Sequence, residues 1–343
     1  MGEAFWRELP DLASRRLGGG VVGANDEFFA AADNLVAAEP PGFSPRTFGA
    51  KGQVYDGWET RRRREAGHDW AVVRLGAAGV VRGVVVDTSH FTGNFPPEAA
   101  VEACRVHGYP SLAALVNAAW TTIVPRSPLV GDAVNTFDVA DDGVFTHVRL
   151  VIFPDGGVAR LRVHGDVVPD PLRFPDGWLD LAALENGGRV VGCSDRFYGA
   201  PAQLIEPGLA RTMGEGWETR RRRGPGNDWV LVRLAAPGRI RLAELDTSHF
   251  KGNAPGAALL RGVDARRHDL DDEAAWSELL PKTDLRPDTR HRFEVTAGPV
   301  THVRLDIFPD GGMARLRLHG HLDDGVPDAL RAAWTGDAPG GGD

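Results

Sequence analysis

The sequence predicts an all-β protein of two tandem β-sandwich domains with a short helix in each, and two observations carry that expectation. First, the chain repeats itself: Gly57-Trp58-Glu59-Thr60-Arg61-Arg62-Arg63-Arg64 returns as Gly216-Trp217-Glu218-Thr219-Arg220-Arg221-Arg222-Arg223, and Asp87-Thr88-Ser89-His90-Phe91 returns as Asp246-Thr247-Ser248-His249-Phe250. Second, apolar residues alternate with period two over several short segments of each copy, which is the pattern of strands with unlike faces. Several such strands per copy favour a sandwich.

The duplication runs almost end to end. Asp11-Leu12-Ala13 before Val21-Val22-Gly23 matches Asp180-Leu181-Ala182 before Val190-Val191-Gly192, at an offset of 169 residues. The offset falls to 159 at Trp58/Trp217 and to 155 at His147/His302, so the second copy has lost residues between shared blocks. Deletions of that kind belong in loops. Each copy, about 160 residues, is long enough to bury its own core. The expected division is residues 1–167 for the first repeat and 168–334 for the second, followed by a Gly- and Asp-rich tail, 335–343, expected to be disordered.

Individual elements follow from local pattern. Trp70 to Leu75 and Val80 to Val86 read as two strands joined by Gly76-Ala77-Ala78-Gly79. Val148, Leu150 and Ile152 alternate with His147, Arg149, Val151 and Phe153; Pro154-Asp155-Gly156-Gly157 supplies a turn, and Ala159, Leu161 and Val163 alternate with Arg160, Arg162 and His164 beyond it. That stretch reads as a hairpin. Leu112, Leu115, Val116, Ala119 and Trp120 fall at helical spacing, Ala274-Ala275-Trp276 is the matching segment, and Pro125 and Pro281 are expected to stop the two helices. The tryptophans there read as packing residues.

With 42% hydrophobic and 25% charged residues and a net charge of −8, the composition is that of a soluble globular protein with no need of a nucleic-acid or membrane partner. The arginine runs are short and set in an acidic chain, so they read as local anion sites. No apolar run approaches the roughly 20 residues that span a bilayer. Only Cys104 and Cys193 occur, at unrelated points of the two copies, which excludes a disulfide framework and a cysteine-based zinc pattern. Met1-Gly2-Glu3-Ala4-Phe5-Trp6 has no secretion signature, so a cytoplasmic setting is expected.

Taken together, Val21-Val22-Gly23 with Asp26 and Phe28, Asp56-Gly57-Trp58-Glu59-Thr60-Arg61-Arg62, Asp69-Trp70 leading to Arg74-Leu75-Gly76, Asp87-Thr88-Ser89-His90-Phe91 with Gly93-Asn94, and Thr146-His147-Val148-Arg149-Leu150 resemble allantoicase. The resemblance covers both copies, roughly residues 10–322. It implies two jelly-roll domains of the galactose-binding-like type and a hydrolase of purine (allantoin) degradation that converts allantoate and water into ureidoglycolate and urea. It also makes a homo-oligomer plausible.

Allantoate carries a carboxylate on a carbon bearing two ureido groups, so its hydrolysis calls for a cationic clamp, a proton donor for departing urea and an activator of water. Arg61, Arg63, Arg220 and Arg222 are the clamp candidates, since a guanidinium fork matches a carboxylate better than a lysine does. A solvated, ion-paired strand edge is the competing reading of the same run. His90 and His249 are the acid/base candidates because imidazole changes charge near neutral pH. Asp87 and Asp246 are candidates to orient that imidazole or activate water, although Asp-Thr-Ser equally caps a turn. Asn94 and Asn253 are candidates for the ureido carbonyls, and Asp26 and Asp195 are further substrate-binding candidates, with an N-terminal cap or Asx-turn as the alternative. A divalent cation such as manganese or calcium stays open: Asp87-x-x-His90 offers an oxygen and an imidazole ligand without a third at recognisable spacing, Asp56, with Glu215 as its counterpart, is a separate candidate for a structural calcium site, and there is no HExxH or CxxC pair. The alternative from another class is a non-catalytic tandem module recognising a sugar or small anion.

Overall fold

The computed structural model describes residues 5–296 and 298–335. The chain divides between Val168 and Pro169 into two compact units of like architecture. In the first, the central strand Asp69–Asp87 is 19 residues long and belongs to both layers of the sandwich. Its first part pairs antiparallel with Val144–Phe153, Asp69 opposite Ile152 and Arg74 opposite His147, and on its other edge with Gly20–Ala24. Glu98–Cys104 and Thr121–Pro128 extend that layer. From Gly79 onward the same strand pairs with Arg160–Val167, and from Gly83 also with Val134–Asp138, after Gly79 and Val80 make its last pairs with Phe145 and Val144.

The change of partner needs a bend, and the register jumps between Arg74 and Gly79 where the bend lies. A Cβ added to Gly76 would stand 2.5 Å from the Leu17 carbonyl oxygen, and one on Gly79 2.4 Å from that of Asp166. The glycines are there because neighbouring backbone passes too close for a side chain. The bend also decides where the two ends of the strand lie. Asp69 lies opposite Ile152 and Asp87 opposite Arg160, so both ends of the long strand meet the short connection between Phe153 and Arg160. The second unit repeats this with Asp228–Asp246, Asp228 opposite Ile307 and Asp246 opposite Arg315.

The alternating residues fill the space between layers. Val73, Val84, Val86, Leu150 and Leu161 are buried in the first unit, and Val232, Leu245, Leu305 and Leu316 belong to one cluster in the second. This apolar burial is the main favourable term holding each sandwich.

Several expectations change on contact with the structure. The segments around Val148 and Leu161 are not partners in a hairpin: each pairs with a different part of the long strand, and the connection crosses between layers, carrying Gly157–Val158 against Trp58–Glu59. Turn residues reveal a change of direction, not which strand waits beyond it. Arg160, which alternates with the apolar residues of its strand, is itself buried, donating to the Asp56 and Ala159 carbonyls and to Asp56 Oδ2. The first helix is a single stretch, Leu112–Val116, capped by Ser111. Its counterpart Glu273–Ala275 is a 3₁₀ turn, and Pro125 and Pro281 lie inside strands. Trp120 packs beside Leu115 and donates from Nε1 to the Leu115 carbonyl at 2.9 Å. A C-terminal helix, Val326–Thr335, was not foreshadowed by the pattern, and residues 336–343 of the expected tail lie outside the described residues.

Gly157 and Gly312 provide a test of this packing, because a Cβ at either would come within 2.0 Å of the Phe91 or Phe250 ring. Gly157→Ala and Gly312→Ala are each expected to destabilise their unit by about 1–3 kcal/mol, read as a lowered urea midpoint.

Candidate functional site

At the loop end of each sandwich the Trp-Glu-Thr-Arg segment is fixed from both sides. Trp58 and Thr60 point inward and are buried. Trp58 Nε1 donates to the Asp26 carbonyl at 2.8 Å, and the Gly156 N–H donates to Thr60 Oγ1 at 3.1 Å. Glu59 and Arg61, on the opposite face of the strand, are thereby turned outward.

Arg61 Nε donates to Asp26 Oδ2 at 2.6 Å, while the N–H groups of Phe28 and Arg61 donate to Asp26 Oδ1. Burial opposes the charged form of Asp26, but these donors outweigh it and hold its carboxyl below the usual range. Asp195 and Arg220 repeat the pair at 2.7 Å, with the same downward shift. Asp26 and Asp195 therefore orient arginines. The Arg61 side chain stays 65% exposed, with its guanidinium over the Phe28 ring; Arg220 lies over Phe197.

Arg63 and Arg222 go elsewhere. The Arg63 N–H donates to Asp155 Oδ2 at 2.8 Å and its Nη1 to buried Asp69 at 2.7 Å; Arg222 does the same with Asp310 and Asp228. These two arginines brace the loop against the first residue of the long strand, and their guanidinium groups face carboxylates of the fold.

His90 and His249 have φ of 71° and 72°, an uncommon region for a side chain with a Cβ. The loop is held there by its neighbours: the His90 N–H donates to Asp132 Oδ1 and the His249 N–H to Asp288 Oδ1. The ring Nε2 atoms lie 3.3 Å from the Pro41 carbonyl and 2.9 Å from the Ala210 carbonyl, so each acts as donor to backbone. No hydrogen bond joins Asp87 to His90 or Asp246 to His249 among the described residues. Asp87 and Asp246 instead accept from the N–H groups of Ser89 and Ser248, the Asx-turn arrangement.

Pattern reading gave Glu59 no chemical role, yet the structure brings it to the centre. Asn94 Nδ2 donates to Glu59 Oε1 at 2.7 Å, and Asn253 Nδ2 to Glu218 Oε1 at 2.6 Å. Among the described residues Glu59 Oε2 has no hydrogen-bond partner. Burial pushes the Glu59 carboxyl up, with the Asn94 hydrogen bond opposing in part. A carboxyl so placed can hold a proton nearer neutrality than an exposed one. The signal for it was its presence in both copies on the face it shares with Arg61.

For a divalent cation the donors are dispersed. Asp56 Oδ2 accepts from the Gly42 N–H and Arg160 Nη2, both at 2.8 Å, its counterpart Glu215 accepts from Arg211, and no group of three or more His, Cys, Asp or Glu side chains is arranged for a metal among the described residues. No helix among them is long and apolar enough to cross a membrane.

The two units are tandem jelly-roll sandwiches, each gathering arginine, carboxylate and amide groups in loops at one end, which is the frame of a duplicated β protein with a polar site. The allantoicase repeat model matches residues 10–168 and again 179–323. The chain is 57% identical over 319 residues to a probable allantoicase of Nocardia farcinica, covering 92% of this chain and 95% of that one. It is 51% identical to a probable allantoicase of Streptomyces coelicolor, covering 93% and 87%. A crystal structure of allantoicase from Saccharomyces cerevisiae superposes with a TM-score of 0.77 at 34% identity, covering 91% of this chain and 93% of that one. The chain belongs to the allantoicase family.

His147 is buried, its Nδ1 lying 2.9 Å from Thr146 Oγ1. Burial, with the nearby Arg74 charge, pushes its pKa from 6.5 down to about 4. Between those values the unfolded chain binds a proton that the folded one refuses, so this contribution is intact above pH 6.5 and is lost as pH falls toward 4. His147→Gln is expected to flatten the unfolding free energy in that window by up to ~1 kcal/mol per pH unit.

Proposed function

We propose that this protein hydrolyses allantoate to ureidoglycolate and urea, and that one of the two loop clusters is where it does so. The observation carrying this is the family match along both repeats, at 57% identity to a probable allantoicase. The geometry supports it chemically. Arg61 presents an exposed guanidinium held in place by Asp26, suited to the substrate carboxylate. Glu59, oriented by Asn94, offers a carboxyl for proton transfer to departing urea. His90 borders the same loop as Asn94, and its ring lies stacked on Phe43.

Arg220, Asp195, Glu218, Asn253 and His249 form the equivalent set in the second repeat. A reducing, cytoplasmic setting is consistent with two unpaired cysteines. The binding-module alternative requires no proton-transferring group, and the relatives of high identity bear the name of an enzyme.

Purified protein is expected to release urea from allantoate in equimolar amount with ureidoglycolate. Folded protein that binds allantoate without releasing urea would support the binding-module reading instead. Repeating the assay after chelation, with manganese or calcium added back, decides the cation question.

A further inference from the structure

The repeats differ most in the connection before the Trp-Glu-Thr-Arg segment. The first has some ten residues more there, as the fall in offset from 169 to 159 shows. The added length forms a small hairpin, Phe48–Gly49 against Gly52–Gln53, with Lys51 in its turn. The loop is anchored to its own sandwich: Arg160 Nε donates to the Glu39 carbonyl at 3.0 Å, Phe43 stacks on His90, and Tyr55 stacks on buried Phe91. Lys51 is thereby carried to the Asp26–Phe29 loop. Its Nζ donates to the Phe28 carbonyl at 2.6 Å and lies 4.6 Å from the centre of the Phe28 ring, while the Arg61 guanidinium lies 5.3 Å from the same ring. In the second repeat Phe197 has Arg220 at 4.9 Å, and the shorter connection has no lysine.

Two cations at one half-exposed ring make a site for a small carboxylate, because a second point charge adds to the guanidinium fork and the ring keeps water from one side of both. Glu59 stands within the same cluster: its carbonyl accepts the N–H groups of Phe29 and Ala30. Resting on the hydrolase reading, we propose that the first repeat carries turnover, with Lys51 and Arg61 clamping the carboxylate of allantoate and Glu59 as the acid and then the base. The proton on the Glu59 carboxyl passes to the nitrogen of one ureido group, the bond from that nitrogen to the central carbon breaks, and the electron pair leaves with urea. The lone pair of the remaining ureido nitrogen forms a C=N bond to the central carbon. Water then adds to that carbon, its proton returns to Glu59, and ureidoglycolate results. The raised affinity of Glu59 for a proton suits the first step, and Asn94 is a positioning residue for it.

The test compares Glu59→Gln, Glu218→Gln and Lys51→Met in the full chain, with wild type measured first. Absence of urea release by the wild type would sink the hydrolase reading itself, apart from the assignment of the repeat. Given wild-type turnover, Glu59→Gln is expected to lower kcat by ~100-fold or more, and Glu218→Gln to leave it within about twofold, since the second cluster is assigned no part in turnover. Lys51→Met, on an exposed loop, is expected to raise KM about tenfold with kcat little changed. Equal losses from the two glutamine variants, or full activity in Glu59→Gln, would overturn the assignment. If Glu59→Gln does not fold, by circular dichroism and thermal melting, the Lys51→Met result decides: an unchanged KM overturns the clamp.

Discussion

The bend in the long central strand is the constraint on which the rest of each unit depends. A straight strand of 19 residues would carry its two ends far apart, roughly 3.3 Å per residue. The bend lets one strand serve both layers and return, so that Asp69 and Asp87 both face the connection between Phe153 and Arg160. Polar loops from distant parts of the sequence are thus delivered to one place. The Arg63–Asp69 pair ties the arginine segment to the strand's beginning, and the Asp87 turn launches the His90 loop from its end.

This arrangement separates buried and braced residues from outward-facing ones inside a single motif. In Trp58-Glu59-Thr60-Arg61-Arg62-Arg63, the alternate residues Trp58 and Thr60 are buried and Arg63 is committed to Asp69, while Glu59 and Arg61 are left facing outward. Duplication has preserved both sets, which is why recurrence alone cannot separate them. The differences are more telling. An extended loop that adds one lysine beside Phe28 in the first repeat changes the local charge and the fit for a carboxylate, while the sandwich beneath stays the same.

Much of the fold was legible because it depends on local periodicity and on repetition. The two repeats and the β character could be read directly, but Gly76-Ala77-Ala78-Gly79, read as the joint between two strands, is a bend inside one continuous strand, Asp69–Asp87, because the ladder pairing resumes at Gly79 beyond it. Partner choice could not: Val148 and Leu161 looked like facing strands of a hairpin, yet their pairing is set by the long strand running between two layers. Burial of Arg160 was hidden for a related reason, since an arginine in an alternating strand reads as outward until a loop folds over it. In the candidate site, residue types singled out arginine and amide groups, but tertiary contacts separate exposed Arg61 from braced Arg63 and turn Asp87 toward its own backbone. Lys51 left no trace in the repeat comparison, because it lies in length that the second copy lacks.

The most direct measurement is a crystal structure of the Glu59→Gln protein soaked with allantoate. The account predicts substrate bound in the first repeat, its carboxylate between Lys51 Nζ and the Arg61 guanidinium and a ureido nitrogen against residue 59. Substrate bound only in the second repeat, or away from both arginine loops, would contradict it.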